Sequence, residues 1–344
     1  MTTTRRNSLS VRGAFRLPVL LGLAVACGAA WPLAQQKPAP APWATRDLRI
    51  GIVGTDTSHV PQFTAQMANH PEWRMRVVAA FKGGSPDLPT SADRLEGFAA
   101  TIRDKNGVEI VDSIAVLLTK VDAVLLESVD GRTHLAQATP VLKAGKRVFI
   151  DKPFAASLDD ARRIAQVARE TGTPFFTASS ARFHPDVARL RANAGVGKVT
   201  KVQASYTQSP LAFHPDLFYY GIHGVEGLYS FMGVGCVSLS RKIEGLNDVT
   251  TCTWKDGRVG VYHGLLKGNP DKLPLLRIWG DKGTVDSGAD GGYDGLLLEI
   301  ARFFQTGRAP VDPAESLEVI EFMTAAQLSK ERGGAAVSLA ELRK

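Results

Sequence analysis

The residues able to do chemistry in this chain cluster in a few short stretches. "FIDKPFA" places Asp151, Lys152 and Pro153 directly after an apolar run. A lysine there can donate to a ribose or substrate hydroxyl, and burial lowers its pKa towards general-base work. A lysine before proline is equally an ordinary loop residue. "SVDGRTH" delivers His134 after a second apolar run, "DAVLLE". "LRIGIVGTDTSHV", residues 48–60, offers Gly51, Gly54, Thr55, Asp56 and Thr57 at a strand-to-helix turn. Glycines in such a turn let the backbone approach a pyrophosphate seated on a helix N-terminus.

That last stretch departs from G-x-G-x-x-G, because Asp56 stands where the second glycine would be. An ionised carboxylate about 4 Å from a phosphate is repelled by roughly 4 kcal/mol at a surface-like dielectric. Asp56, Thr57 and Ser58 are also good helix caps, which would leave no vacant anion site. At the end of the next apolar run, "VVAAFKGGSPD" puts Lys82 where NAD binders place an acid for the ribose hydroxyls. With a dinucleotide bound, this lysine leans towards the 2′-phosphate of NADP; without one it is a solvated loop residue.

The elements that must position these residues alternate from Asp47 to about Ser180. "LRIGIV", "MRVVAAF", "DAVLLES", "KRVFID" and "TPFFTAS" read as strands separated by helical stretches. "SLDDARRIAQVARETG" is the clearest helix, capped by Ser157 and closed by Gly172. Continuously apolar strands between helices imply a parallel sheet covered on both faces, with ligands at the carboxyl ends of its strands. After about Arg182 the strands "GKVTKVQASYTQ", "CVSLSRKI", "DVTTCTW", "GRVGVYHGLL" and "KLPLLRIWG" follow one another, with Asp256-Gly257 as a tight hairpin turn. Helical segments lie at about 221–233, 293–306 and 313–332. The expected fold is α/β: a Rossmann-type parallel sheet over 47–180, then an α+β domain over 181–344 with a mostly antiparallel open sheet.

The chain has 344 residues, 44% of them hydrophobic and 22% charged, enough to bury about two cores. Its net charge of +7 is misleading, because residues 1–34 carry Arg5, Arg6, Arg12 and Arg16 and no acid. Removing them leaves 37 basic against 34 acidic residues, which gives no reason to invoke nucleic acid or an anionic membrane face. Residues 1–34 read as an export signal: a basic start, an uncharged stretch from Leu17, and small residues before a cleavage point after Ala34. Thr4-Arg5-Arg6-Asn7 is a partial twin-arginine match, with Ser8 in place of the usual aromatic. Such a stretch could just span a bilayer as an uncleaved anchor. Pro18, Gly22, Gly28 and Pro32 argue against that, and Cys27 allows a lipoprotein reading. Periplasmic localisation without a membrane span after processing is the expectation, with 35–46 as a linker. Cys236 and Cys252 are either a disulfide or two buried thiols.

Taken together, these stretches resemble the Gfo/Idh/MocA oxidoreductases from about Arg49 to Leu339. Asp151-Lys152-Pro153 is similar to the family's Glu-Lys-Pro motif, whose lysine lies beside the nicotinamide and the reacting hydroxyl. "SSARFHP", with Arg182 and Pro185, resembles the segment entering the second domain, and "IWGDKGTV" the late strand-turn motif. In "FYYGIHGVEGLYSFMG", His223 takes the family's substrate-facing histidine position, while Tyr219 replaces the aspartate four residues before it. Glu226 lies one turn beyond His223, where it can orient the imidazole or act itself. Gly221, Gly224 and Gly227 recur every three residues and permit close approach either to a ligand or to the sheet.

The resemblance implies an NAD(P)-dependent oxidoreductase acting on a sugar or cyclitol. Lys152, His223 and Glu226 are then catalytic candidates, with the histidine near its ordinary pKa. Gly51, Gly54, Thr55, Asp56, Thr57, Lys82, His134 and Asp151–Pro153 hold the cofactor, and Arg182 and Tyr219 contact substrate. It also implies pairing into a homo-oligomer through the open sheet. Two other readings stand beside it. One is a glycoside-cleaving enzyme that uses the nicotinamide without net redox. The other is a cofactor-free carbohydrate-binding protein, in which Asp56, His59, His134, His223 and Glu226 could gather around a polyol or metal. No metal is expected on the main reading.

Overall fold

The computed structural model describes residues 38–288 and 292–343. The expected export signal, 1–34, and the first three residues of the expected linker, 35–37, lie outside these residues. In chain order the first layer comprises β1 (Leu48–Val53), α1 (His59–Asn69), β2 (Met75–Phe81), α2 (Pro89–Ala92), α3 (Leu95–Asn106), β3 (Glu109–Val111), α4 (Ile114–Lys120) and β4 (Ala123–Leu126). It continues with α5 (His134–Lys143), β5 (Arg147–Ile150), α6 (Leu158–Thr171) and β6 (Phe175–Thr177). The six strands form a parallel sheet in the order β3-β2-β1-β4-β5-β6. This doubly wound order reverses between β1 and β4, which opens a ligand crevice at their carboxyl ends.

The apolar runs become central strands because both faces are covered. On one face Val124, Leu126, Val148 and Ile150 pack with Leu117, Val141 and Ile164. On the other Ile50, Ile52, Leu125 and Phe149 pack with Val60, Phe63 and Met67. Ser157 caps α6 through the N–H of Asp160 at 3.1 Å, and Gly172 closes it in the left-handed region at φ 64°. Both follow the sequence pattern.

The second layer starts with α7 (Pro185–Ala192) and β7 (Val199–Thr207), then α8 (Gly221–Met232), β8 (Cys236–Glu244), β9 (Asn247–Trp254) and β10 (Val259–Leu265). It ends with β11 (Leu276–Gly280), β12 (Gly283–Asp286), α9 (Asp294–Thr306), α10 (Pro313–Glu331) and β13 (Val337–Ser338). Its strand order is β12-β11-β7-β10-β9-β8-β13, antiparallel except for the parallel pair β7–β10. Asp256-Gly257 turns β9 into β10, with Gly257 at φ 85°. A disulfide joins Cys236 on β8 to Cys252 on β9.

α9, assigned by sequence to the second layer, lies against the first sheet. Leu296, Leu297, Ile300, Phe303 and Phe304 are buried with Ile50, Leu125, Phe149 and Phe176. The chain therefore returns to its first layer after building most of the second.

The glycine stripe of α8 faces the sheet. A Cβ on Gly224 would fall 2.7 Å from the Tyr262 ring, and one on Gly221 would lie 3.0 Å from the Tyr262 hydroxyl. These glycines bring α8 down onto β10.

Candidate active site

The ends of β1, β4 and β5 and the start of α8 bring the principal candidates together. Lys152, just past β5, is buried, with its Nζ 4.6 Å from the ring centre of Tyr219 and 5.3 Å from that of Tyr220. Burial lowers its pKa and Asp151 only partly restores it, which favours a proton-exchanging amine. His223, in the first turn of α8, lies between the rings of Tyr206 and Tyr220, at 4.8 and 5.7 Å. Its Nδ1 is buried without a hydrogen-bond partner. Burial, then the charges of Lys152 and His59, hold its pKa well below the ordinary histidine value. The expectation of a near-ordinary pKa is corrected: this imidazole is neutral and able to accept a proton.

Asp151 ties Lys152 to His59. One carboxylate oxygen meets Nδ1 of His59 at 2.5 Å, and the other accepts the backbone N–H of Lys152 at 2.8 Å. Burial pushes the Asp151 pKa up, but His59 and Lys152 outweigh it and leave the carboxyl below its usual range. His59 opens α1, stacked on Phe63 at 4.8 Å.

The β1–α1 turn keeps one feature of a phosphate cradle and alters another. Gly54 has φ +89°, and a Cβ there would lie within 2.6 Å of Ser128, so only glycine fits. The end of α1 is not capped by its own residues as expected. Ser58 makes no side-chain bond to it, and Thr57 offers only a long contact of 3.4 Å to the N–H of His59. Asp56 is turned aside, its carboxyl accepting from the Ser91 hydroxyl at 2.5 Å and the Val129 N–H at 3.0 Å. Burial raises its pKa, so the repulsion expected of a free carboxylate is reduced. A helix end with side-chain caps absent fits a pyrophosphate. Asp56, bridging the β1 turn to the loop after β4, is the departure.

Residues 48–179 match the sequence profile described as the oxidoreductase family with an NAD-binding Rossmann fold. Over these residues the chain is similar to the Gfo/Idh/MocA oxidoreductase family. Similarity continues in a Salmonella typhimurium protein, YceM, 29% identical over 164 residues, which are 48% of this chain and 49% of YceM. The chain thus spans about half the length of this relative. A 1,5-anhydro-D-fructose reductase of Ensifer adhaerens is 34% identical over 105 residues, 29% of this chain and 30% of the reductase. An Agrobacterium radiobacter oxidoreductase, solved with NAD+, L-tartaric acid and magnesium, shares the fold at TM-score 0.70 and 13% identity. That match covers 86% of this chain and 99% of the other.

Several sequence candidates have other partners. Glu226 does not orient His223; it pairs with Arg182 Nε at 2.6 Å, and Arg182 Nη1 meets Glu315 at 2.5 Å. Arg182 is therefore engaged in a buried ion network through Nε and Nη1. His134 is fully buried, its Nε2 2.7 Å from the Ser128 carbonyl and its Nδ1 3.2 Å from that of Phe154. It ties the loops after β4 and β5 together. Gly51 lies mid-strand, where a Cβ would press on Leu117 and Val121 at 3.1 Å, so its role is packing. Thr55 gives its hydroxyl to the Leu95 carbonyl at 3.1 Å. Lys82 is paired with Glu96 at 2.7 Å, so a 2′-phosphate would meet a lysine already engaged.

The grouping of Asp56, His59, His134, His223 and Glu226 around one ligand does not form, since Asp56, His134 and Glu226 are held elsewhere. Sequence reading missed Arg94, Glu127 and Ser91, and gave His59 only a place in that grouping. Glu127, at the end of β4, has both carboxyl oxygens buried without partners. Burial, then Asp151 and Asp56, raises its pKa well above the usual carboxyl value, which favours the protonated form. An acid at the switch point was visible in the sequence; its burial was not.

Proposed function

We propose that this chain is an exported nicotinamide-dependent oxidoreductase acting on a hydroxyl or carbonyl of a sugar or cyclitol. The observation that carries the reading is the pair Lys152 and His223, a buried amine and a neutral, unpartnered imidazole, at the ligand edge of an NAD-binding Rossmann sheet. Gly54 and the start of α1 would hold the pyrophosphate, and the β5 end would face the nicotinamide. When bound, that group supplies hydride transfer. The chain's own share is positional and protolytic. His223 accepts a hydroxyl proton at a ring nitrogen, Lys152 hydrogen-bonds the same oxygen, and Tyr206, Tyr219 and Tyr220 wall the site with ring faces suited to a sugar.

The reductase relative acts on an anhydro-sugar by its name, which supports the substrate class. The Cys236–Cys252 disulfide supports an oxidising compartment. Among the described residues, no helix is long and apolar enough to cross a membrane. Pairing of two copies through the open face of the second sheet is part of the same proposal. A bound 2′-phosphate would have to compete with Glu96 for Lys82, so NAD and NADP should be titrated side by side.

The test is to denature purified mature protein and identify released dinucleotide by mass spectrometry, followed by reduction assays on a polyol and sugar panel. Retained or titratable dinucleotide with turnover that Lys152→Met abolishes supports the reading. No binding of either dinucleotide sinks it. The Asp56 bridge favours one alternative, a sugar-binding protein on the same scaffold, which that second result would leave standing.

A further inference from the structure

We propose that Arg94 is a phosphate ligand of the cradle, supplying the positive charge that offsets Asp56; this rests on the dinucleotide reading above. Arg94 lies in the short link between α2, which offers Ser91 to Asp56, and α3. Its Nε is fixed on the Thr90 carbonyl at 2.5 Å, while its Nη2 is buried with no hydrogen-bond partner. A buried N–H left unpaired costs free energy, so such a group is explained by a ligand that completes it.

The surroundings define the ligand's chemistry. Arg94 bears electrostatically on Asp56 and on Lys152, and its side chain hydrogen-bonds the Tyr219 hydroxyl, which leaves Nη2 as the donor without a partner. It therefore lies within electrostatic reach of both the cradle turn and the catalytic candidates, and Ser91, three residues before it, touches the cradle's Asp56. Its neighbour charges are Lys152, also cationic, and Asp56, whose carboxyl already accepts from Ser91 and Val129. A planar guanidinium with an open donor beside a second cation selects an oxyanion. Where other cradles rely on a second glycine to let the backbone reach the phosphate, this chain brings a side-chain cation from the opposite bank. The same chemistry could be met by the carboxylate of a sugar acid, and the experiment separates the two.

Wild type, Arg94→Ala and Arg94→Lys are titrated calorimetrically with ADP-ribose, inorganic pyrophosphate, NAD and a uronic acid, with thermal melts as a check on folding. Arg94→Gln replaces the alanine variant if that melts early. The expected result is a loss of affinity for ADP-ribose and pyrophosphate of about 10- to 100-fold in the alanine or glutamine variant, with lysine intermediate. Unchanged affinities overturn the proposal, as does a loss confined to the uronic acid, or a wild type that binds none of the phosphates. Pyrophosphate binding that needs Arg94 in a protein that takes no dinucleotide would defeat the functional reading and leave this site standing. NAD binding that ignores Arg94 would do the reverse.

Discussion

His59 and Asp151 meet at 2.5 Å across the ends of β1 and β5, both nearly excluded from water. The pairing holds the β5 end, and so the candidate Lys152 beside it, against the first turn of α1. Removing the imidazole leaves a buried carboxylate uncompensated. His59→Ala should cost about 3–5 kcal/mol in urea unfolding. Asp122→Ala, which breaks the exposed pair with Arg49, should cost under about 1 kcal/mol. Similar losses for both would remove the special standing of the His59–Asp151 contact.

His223 makes a pH prediction whose sign is fixed by its depressed pKa. Below pH about 6.5 the unfolded chain takes up a proton there and the folded chain does not. Stability should therefore fall as pH drops from that value, until the folded pKa is reached. His223→Gln should flatten this decline. Activity, if His223 is the base, should keep its acid limb below the ordinary histidine range.

Glu127 gives the opposite slope. Its folded pKa is raised, so above pH about 4.3 the unfolded chain releases a proton that the folded chain retains, and stability falls as pH rises. Glu127→Met, apolar and of similar length, should raise stability at pH 7 by about 1–3 kcal/mol and remove that slope. A destabilised variant with an unchanged slope would mean that Glu127 has a partner in solution.

The stripe on α8 can be tested one glycine at a time. Gly224→Ala should destabilise by about 1–3 kcal/mol, because the added methyl meets the Tyr262 ring. At Gly227 the nearest atom would be 3.4 Å away, an ordinary contact, so alanine there should be neutral or gain up to about 1 kcal/mol of helix propensity. Chemical denaturation of the two variants decides the matter.

Cys236 and Cys252 should show no free thiol in protein purified from an oxidising compartment, as read by mass spectrometry after alkylation. Cys252→Ser should then cost about 3 kcal/mol, the entropy of a loop this short. Free thiols in exported protein would contradict the observed bond.

What could be read from the sequence was local. Apolar runs gave the strands of the first sheet, Ser157 and Gly172 bounded α6, and the family resemblance singled out Lys152 and His223. What escaped depended on contacts between distant segments. Asp56 meets Ser91, 35 residues on, and Glu226 meets Arg182, 44 residues back. Each changed a residue's meaning, from obstacle to bridge and from catalyst to ion-pair partner. The α8 glycines stayed ambiguous because a small residue serves a ligand and a tyrosine ring equally well, and Tyr262 lies on another element.

The return of α9 to the first sheet bears on how this architecture can be inherited. A gene cut near residue 180 would yield a Rossmann sheet stripped of Leu297, Ile300, Phe303 and Phe304, with Ile50, Leu125 and Phe149 bared to water. Such a fragment should aggregate when expressed by itself. The dinucleotide half is therefore no free cassette for recombination: any swap must carry the late helix with it, so the two layers change partners together or not at all.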